Sequence, residues 1–152
     1  MLLYLVQHGQ AKSKEENPDR PLTDRGRREV EAVMLLMMRF GAITASRVVH
    51  SGKLRAAETA EIIGTKIDAD TEESDGLAPN DDPGIWAQRL AEGGLDTLLV
   101  GHMPHLSRLA SRLLCGSDEA ELVEFANGGV VCLHQDDGHW ALKWSIPPSL
   151  VQ

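Results

Sequence analysis

The chain has 152 residues, of which 42% are apolar and 25% charged, the balance of an ordinary globular domain with a sizeable core. Its formal charge of −8 argues against a nucleic-acid binder, because phosphate contacts require a basic face. The apolar run Ala32–Met38 is too short to cross a bilayer, and the N-terminal run lacks a basic leader, so a cytoplasmic protein with no membrane partner is expected.

The charge is unevenly spread. Residues 1–55 hold 10 Lys or Arg against 6 Asp or Glu, whereas residues 56–152 hold 5 against 17, so an anion site is expected to draw mainly on the first third. Cys115 and Cys132 have neither C-x-x-C spacing nor a disulfide-rich context and read as small apolar fillers.

The apolar run Leu2–Val6 predicts a buried strand that stops at Gln7-His8-Gly9 and delivers His8 to the carboxyl edge of a sheet, where open α/β sheets bind ligands. Gly9 would let the backbone approach a ligand closely. After a polar loop, Thr23 is placed to cap a helix running to about Phe40. Val30, Val33, Met34, Met37 and Met38 recur at three- and four-residue spacing and give it one buried face. Gly41 supplies the stop.

Arg47–His50 predicts a second strand, and Ser51-Gly52 turns the chain into a helix from about Lys53 to Ile63. The acidic segment Asp68–Asp82 is expected to hold a short strand and then a loop around Leu77-Ala78-Pro79-Asn80. A brief helix near Ile85–Glu92, closed by Gly93-Gly94, leads into a buried parallel strand over Asp96–Val100. Pro104 suits the first turn of a helix continuing to about Leu114, with Gly116 as its stop. Val130–His134 and Trp140–Ile146 predict a hairpin, after which Pro147-Pro148 ends regular structure.

This βαβα rhythm followed by a hairpin implies one α/β domain over residues 1–152. It is expected to be a three-layer sandwich with a mainly parallel central sheet, helices on both faces and an antiparallel edge.

Three strand-to-helix junctions present chemistry at the same sheet edge: His8, Arg55 and His102. An imidazole that attacks phosphorus, with an arginine and a second imidazole holding the oxygens, makes sense of the set. His50 is expected to pack at a strand end, and His134 and His139 to face solvent. Trp86, Trp140 and Trp144 read as core or sheet-covering aromatics. His102 and His105 are spaced to share a metal, but no third ligand follows at recognisable spacing, so no metal site is expected.

Four ordered elements carry a family resemblance: Gln7-His8-Gly9, Arg20-Pro21-Leu22-Thr23 with Gly26, Ser51-Gly52-Lys53-Leu54-Arg55-Ala56-Ala57-Glu58-Thr59-Ala60, and Val100-Gly101-His102-Met103-Pro104. Together they resemble the motifs of the histidine phosphatase, or phosphoglycerate-mutase-like, superfamily, and in particular its SixA-like protein-phosphohistidine phosphatase branch. The resemblance implies His8 as the nucleophile, Arg55 and His102 as catalytic groups that hold phosphoryl oxygens, and Gln7, Gly9 and Arg20 as further phosphate contacts. It implies neither metal nor cofactor, and a phosphorylated protein as partner.

Two departures from the family pattern matter. Gln7 stands where the family carries arginine, removing a bidentate fork. If that arginine acts like one oxyanion-hole donor, its loss costs ~2.7–4 kcal/mol, or roughly 10²–10³ in rate, unless Arg20 compensates. Leu77-Ala78-Pro79 lacks the glutamate that serves mutase-like members as general acid, which favours a labile P–N substrate over an ester. Asp81 and Asp82 follow in what reads as a solvated loop. Two alternatives remain open: a small-ester phosphatase of the same superfamily, and a catalytically weakened module that binds phosphate or phosphoprotein.

Overall fold

A computed structural model describes residues 1–151. Its strands are β1 (Leu2–Gln7), β2 (Arg47–His50), β3 (Thr71–Glu73), β4 (Thr97–Gly101), β5 (Val130–Asp136) and β6 (His139–Ile146), and its helices are α1 (Asp24–Arg39), α2 (Leu54–Ile67), α3 (Pro83–Glu92) and α4 (His105–Cys115). All six strands form one sheet in the order β3-β2-β4-β1-β5-β6. The first four run parallel, and β5 and β6 add an antiparallel edge.

Strand β1 is apolar throughout because both of its faces are covered. Tyr4 and Val6 pack with the buried faces of α1 and α2, while Leu3 and Leu5 pack with those of α3 and α4. The same alternation places Val48 and Leu98 in the first core and Val49 and Leu99 in the second, as the two-residue period of a strand requires. These are the three layers expected. Among the described residues no helix is long and apolar enough to cross a membrane.

Thr23 caps α1 by accepting from Gly26 N–H at 2.9 Å. Val30, Val33, Met34 and Met37 are buried as the spacing predicts, but Met38 is 44% exposed. At 100° per residue it lies roughly 90° from the centre of the buried stripe, so it falls on the rim.

Helix α2 runs a turn beyond the expected Ile63. Gly64 does not stop it, because there the glycine serves a close approach: an added Cβ would lie 2.8 Å from the Ala69 carbonyl oxygen. The left-handed Asp68, at φ 55°, ends the helix instead.

Helix α3 begins two residues earlier than expected, with Pro83 in its first turn and Asp82 as N-cap, accepting from Gly84 N–H at 2.8 Å. The β5–β6 turn, Asp137-Gly138, has positive φ at both positions, the twist a two-residue hairpin prefers. Regular structure does not end at the Pro147-Pro148 pair, since a 3-10 turn over Pro148–Leu150 follows and packs on α1. Cys132 is buried, as a filler should be, whereas Cys115 is exposed in the last turn of α4.

Candidate active site

Strands β1 and β4 are neighbours and parallel, with Gln7 opposite Gly101, so the residues that follow them emerge side by side. His8 and His102 are those residues, and their ring centroids lie 5.1 Å apart. Both are buried, at 8% and 2% exposure.

The backbone holds His8 from two sides. Its N–H donates to the Gly101 carbonyl at 3.1 Å, and its carbonyl accepts from Asn127 Nδ2 at 2.9 Å and from Gly128 N–H at 3.2 Å. The ring lies with Nδ1 2.8 Å from the Gly9 carbonyl oxygen. A carbonyl only accepts, so Nδ1 carries the proton and Nε2 keeps its lone pair. Arg55 Nε–H donates to that Nε2 at 3.3 Å.

Arg55 stands in the first turn of α2, and Thr59 lies one turn further on. Thr59 Oγ1 donates to the Arg55 carbonyl at 2.7 Å and accepts from Gly9 N–H at 3.0 Å. One buried hydroxyl therefore ties the arginine's helix to the residue that orients His8. Gly9 serves this framework with both its backbone groups. Its missing Cβ makes room for α1, where Val30 Cγ2 would lie at 3.0 Å and the Gly26 carbonyl at 3.2 Å. The glycine thus also lets α1 come close to the backbone.

His102 Nε2 is 2.6 Å from Ser51 Oγ, and its buried Nδ1 has no partner among the described residues. Ser51 opens the turn between β2 and α2, so the second junction sends a group to each histidine: Arg55 to His8 and Ser51 to His102.

Burial pushes His8 down to about 4, against the pull of the Gly9 carbonyl and helped by the charges of Arg55 and Arg20. Burial pushes His102 down to about 3, followed by the effects of His8, Arg55, Lys53 and His105. Burial, then Arg20, also lowers Arg55. Every charge that shifts the two imidazoles and the guanidinium belongs to a basic group, so the site is electrostatically prepared for an anion. Its imidazoles are neutral well below the ordinary histidine range.

Arg20 adds its charge to the site from a left-handed backbone, at φ 51°, with Nε donating to the Lys12 carbonyl at 3.0 Å. Gln7 ends β1, and its side chain makes no hydrogen bond among the described residues. Asp81 and Asp82 have local tasks: Asp81 Oδ2 accepts from Ala78 N–H at 3.0 Å and Asp82 caps α3. Their charges bear on His105, which is fully buried. Among the described residues no group of His, Cys, Asp and Glu converges as a metal site.

Of the other residues singled out in sequence, His50 is half-buried and shapes its own turn, with Nδ1 accepting from Gly52 N–H at 3.1 Å. His139 is exposed, whereas His134 is half-buried because it pairs with Leu2 across the sheet. Trp86 is buried in the core beneath Arg47 and Arg89, and Trp140 and Trp144 pack against opposite core clusters.

Sequence reasoning assigned no part to Thr59, Ser51, Asn127 or Gly128. Thr59 and Ser51 lie inside a motif already marked, so their positions carried a signal. Asn127-Gly128 carried only a turn signal, and nothing local shows that this turn closes on a residue 119 positions upstream.

The fold and site define an α/β protein that sets a neutral imidazole, its Nε2 lone pair facing an arginine, at the carboxyl ends of two adjacent parallel strands. The family model for the histidine phosphatase superfamily (branch 1) matches residues 3–91, and the chain belongs to that superfamily. No curated protein matched it.

Among solved structures, the chain is similar to the protein histidine phosphatase SixA complexed with tungstate, at 24% identity and TM-score 0.86 over 100% of both chains. It is also similar to the alpha-ribazole phosphatase from Shigella flexneri, at 16% identity and TM-score 0.78 over 94% of this chain and 95% of that one. A mycobacterial glucosyl-3-phosphoglycerate phosphatase in complex with VO3 matches at 16% identity and TM-score 0.73, covering 94% of this chain and 97% of its own. At these identities the likeness establishes the fold.

Proposed function

We propose that the chain is a cytoplasmic, metal-independent phosphatase that removes phosphate from phosphohistidine on a protein through a covalent phospho-His8 intermediate. The observation that carries this reading is the state of His8. Its Nδ1 proton is committed to the Gly9 carbonyl, and its Nε2 lone pair faces Arg55. Nucleophilic displacement at phosphorus needs that tautomer and that neighbour.

In the first step His8 Nε2 forms a bond to phosphorus while the P–N bond of the substrate breaks, and the departing imidazole takes up a proton from water. Arg55, His102 and Arg20 hold the phosphoryl oxygens, and Gln7 supplies a further contact. In the second step water attacks phosphorus, releasing inorganic phosphate and restoring the His8 lone pair. Gly9 and Thr59 position the nucleophile and do not touch the phosphoryl group.

The leaving group discriminates among substrates. An alkoxide needs a general acid, but the carboxylates that follow Leu77-Ala78-Pro79 are spent locally, Asp81 on the Ala78 N–H and Asp82 on the cap of α3. Imidazole leaves with less help, which supports a phosphoramidate rather than a sugar or serine ester.

Single-turnover dephosphorylation of a phosphohistidine-bearing protein tests the reading, with acid-labile phosphate on the enzyme followed in parallel. Substrate phosphate should pass through a transient enzyme phosphohistidine in the wild type and not in His8→Ala. Transfer that persists in His8→Ala overturns the mechanism. Gln7 favours one second reading, a binding module, and tight phosphoprotein binding without any transfer would establish it.

A further inference from the structure

Beside the site lies a groove of about 670 Å³ between the start of α4 and the irregular segment 118–125. Each wall is tied to the site through the chain. Met103, on one wall, directly follows His102, and Phe125, on the other, is two residues before the Asn127 that holds the His8 carbonyl.

The groove's lining is both acidic and apolar. Asp118 is paired with Arg112 at 2.6 Å and with Arg108 at 3.6 Å, and Arg108 is the one basic side chain on the walls among the described residues. Glu119, Glu121 and Glu124 make no ion pair among the described residues and are exposed. Val123 and Phe125 lie among them, and Met103 is 38% exposed across the gap. Ser107 is only 8% exposed, yet it lines the groove and its hydroxyl has no hydrogen-bond partner among the described residues. The hydroxyl oxygen itself keeps solvent access, so it opens onto the groove and is available to an occupant.

We infer that the groove docks a basic amphipathic segment of the phosphorylated protein substrate, one in which Lys or Arg alternates with apolar side chains. The inference rests on the phosphoprotein reading above and extends it to how the partner is held. Three uncompensated carboxylates repel phosphate-rich nucleic acid and anionic lipid headgroups alike, and they complement a cationic peptide. Apolar side chains between the charges supply the area that charge alone does not. The Ser107 hydroxyl meets a polar group of the docked segment. The groove thereby adds affinity for the protein while leaving the phosphoryl chemistry to His8.

The test uses the full chain and three probes: a short synthetic peptide with phosphohistidine beside alternating Lys and Leu, the same peptide with Gln for Lys, and free phosphoramidate. The variant combines Glu119→Lys, Glu121→Lys and Glu124→Lys. A second variant carries Gln at the same positions in case charge reversal disturbs folding. Binding of the unphosphorylated peptides is read by fluorescence anisotropy and needs no turnover.

The Lys peptide should bind the wild type more tightly than the Gln peptide, and the Lys variant should weaken that binding about tenfold or more. Its kcat/KM for the phosphorylated Lys peptide should fall in parallel, with phosphoramidate turnover unchanged. Equal binding of the two peptides, or binding indifferent to the substitutions, overturns the inference. Transfer through His8 with no response to charge leaves the phosphatase reading standing and the groove fallen. Groove-dependent binding without transfer does the reverse.

Discussion

Replacing Thr59 with valine isolates the hydroxyl that joins the two halves of the site. Valine keeps the branched shape at a position that is 0% exposed, so packing changes little while two hydrogen bonds disappear. The Arg55 carbonyl lies inside a helix and retains its backbone partner. Gly9 N–H is buried and loses its only partner among the described residues, at 3.0 Å. An orphaned buried donor costs about 1–3 kcal/mol. For a domain of this size the melting temperature should drop by about 2–12 °C, taking ~2–4 °C per kcal/mol.

The effect on turnover should exceed what stability explains. Gly9 also accepts the His8 Nδ1 proton, so freeing it lets the nucleophile turn, and a displacement of about 1 Å lowers kcat on the order of 10²-fold. Thr59→Ser is the control. It keeps both hydrogen bonds and removes one methyl, a loss of ~0.8 kcal/mol before any cavity cost. Single-turnover rates on a phosphohistidine peptide, with thermal melts on the same samples, should rank wild type, then Ser, then Val. A valine variant as active as the wild type, or less impaired than the serine variant, would refute the positioning role.

Gln7→Arg should raise turnover, by up to about 10²-fold if the new guanidinium acts as one more preorganised donor; steady-state kinetics showing no gain would mean that Gln7 does not limit the rate. His8 and His102, held at about 4 and about 3, should keep neutral imidazole NMR signals down to pH 5, and a His8 midpoint near 6.5 would contradict the burial argument. The same depression makes the unfolded chain the better proton acceptor below pH 6.5. Stability is therefore full above that value and falls as pH drops through the folded values, by about 3 kcal/mol between pH 6.5 and 4 for His8 alone; urea unfolding at several pH values measures it. Gly26→Ala places a Cβ 2.2 Å from the Gln10 carbonyl oxygen, a backbone clash expected to cost at least about 1–3 kcal/mol, and an unchanged denaturation midpoint would show that α1 does not press on the loop after β1.

Much of this architecture is local and was legible before any coordinates. The all-apolar β1, the stripe Val30, Val33, Met34 and Met37, and the closing hairpin each follow from periodicity or turn chemistry within a few residues. So does the arrival of His8, Arg55 and His102 at strand-to-helix junctions, because parallel strands joined by helices bring such junctions to one edge of a sheet.

The contacts that make those residues a site are not local. That Gly9 fixes the His8 tautomer, that Thr59 reaches Gly9 across 50 positions and Asn127 reaches His8 across 119, depends on how closely separate segments approach. So does the depression of both histidines, which comes first from burial by neighbours distant in sequence. Periodicity records which side of an element is dry; hydrogen bonds and proton affinities respond to distances of a few tenths of an ångström between elements, and only the folded chain sets those.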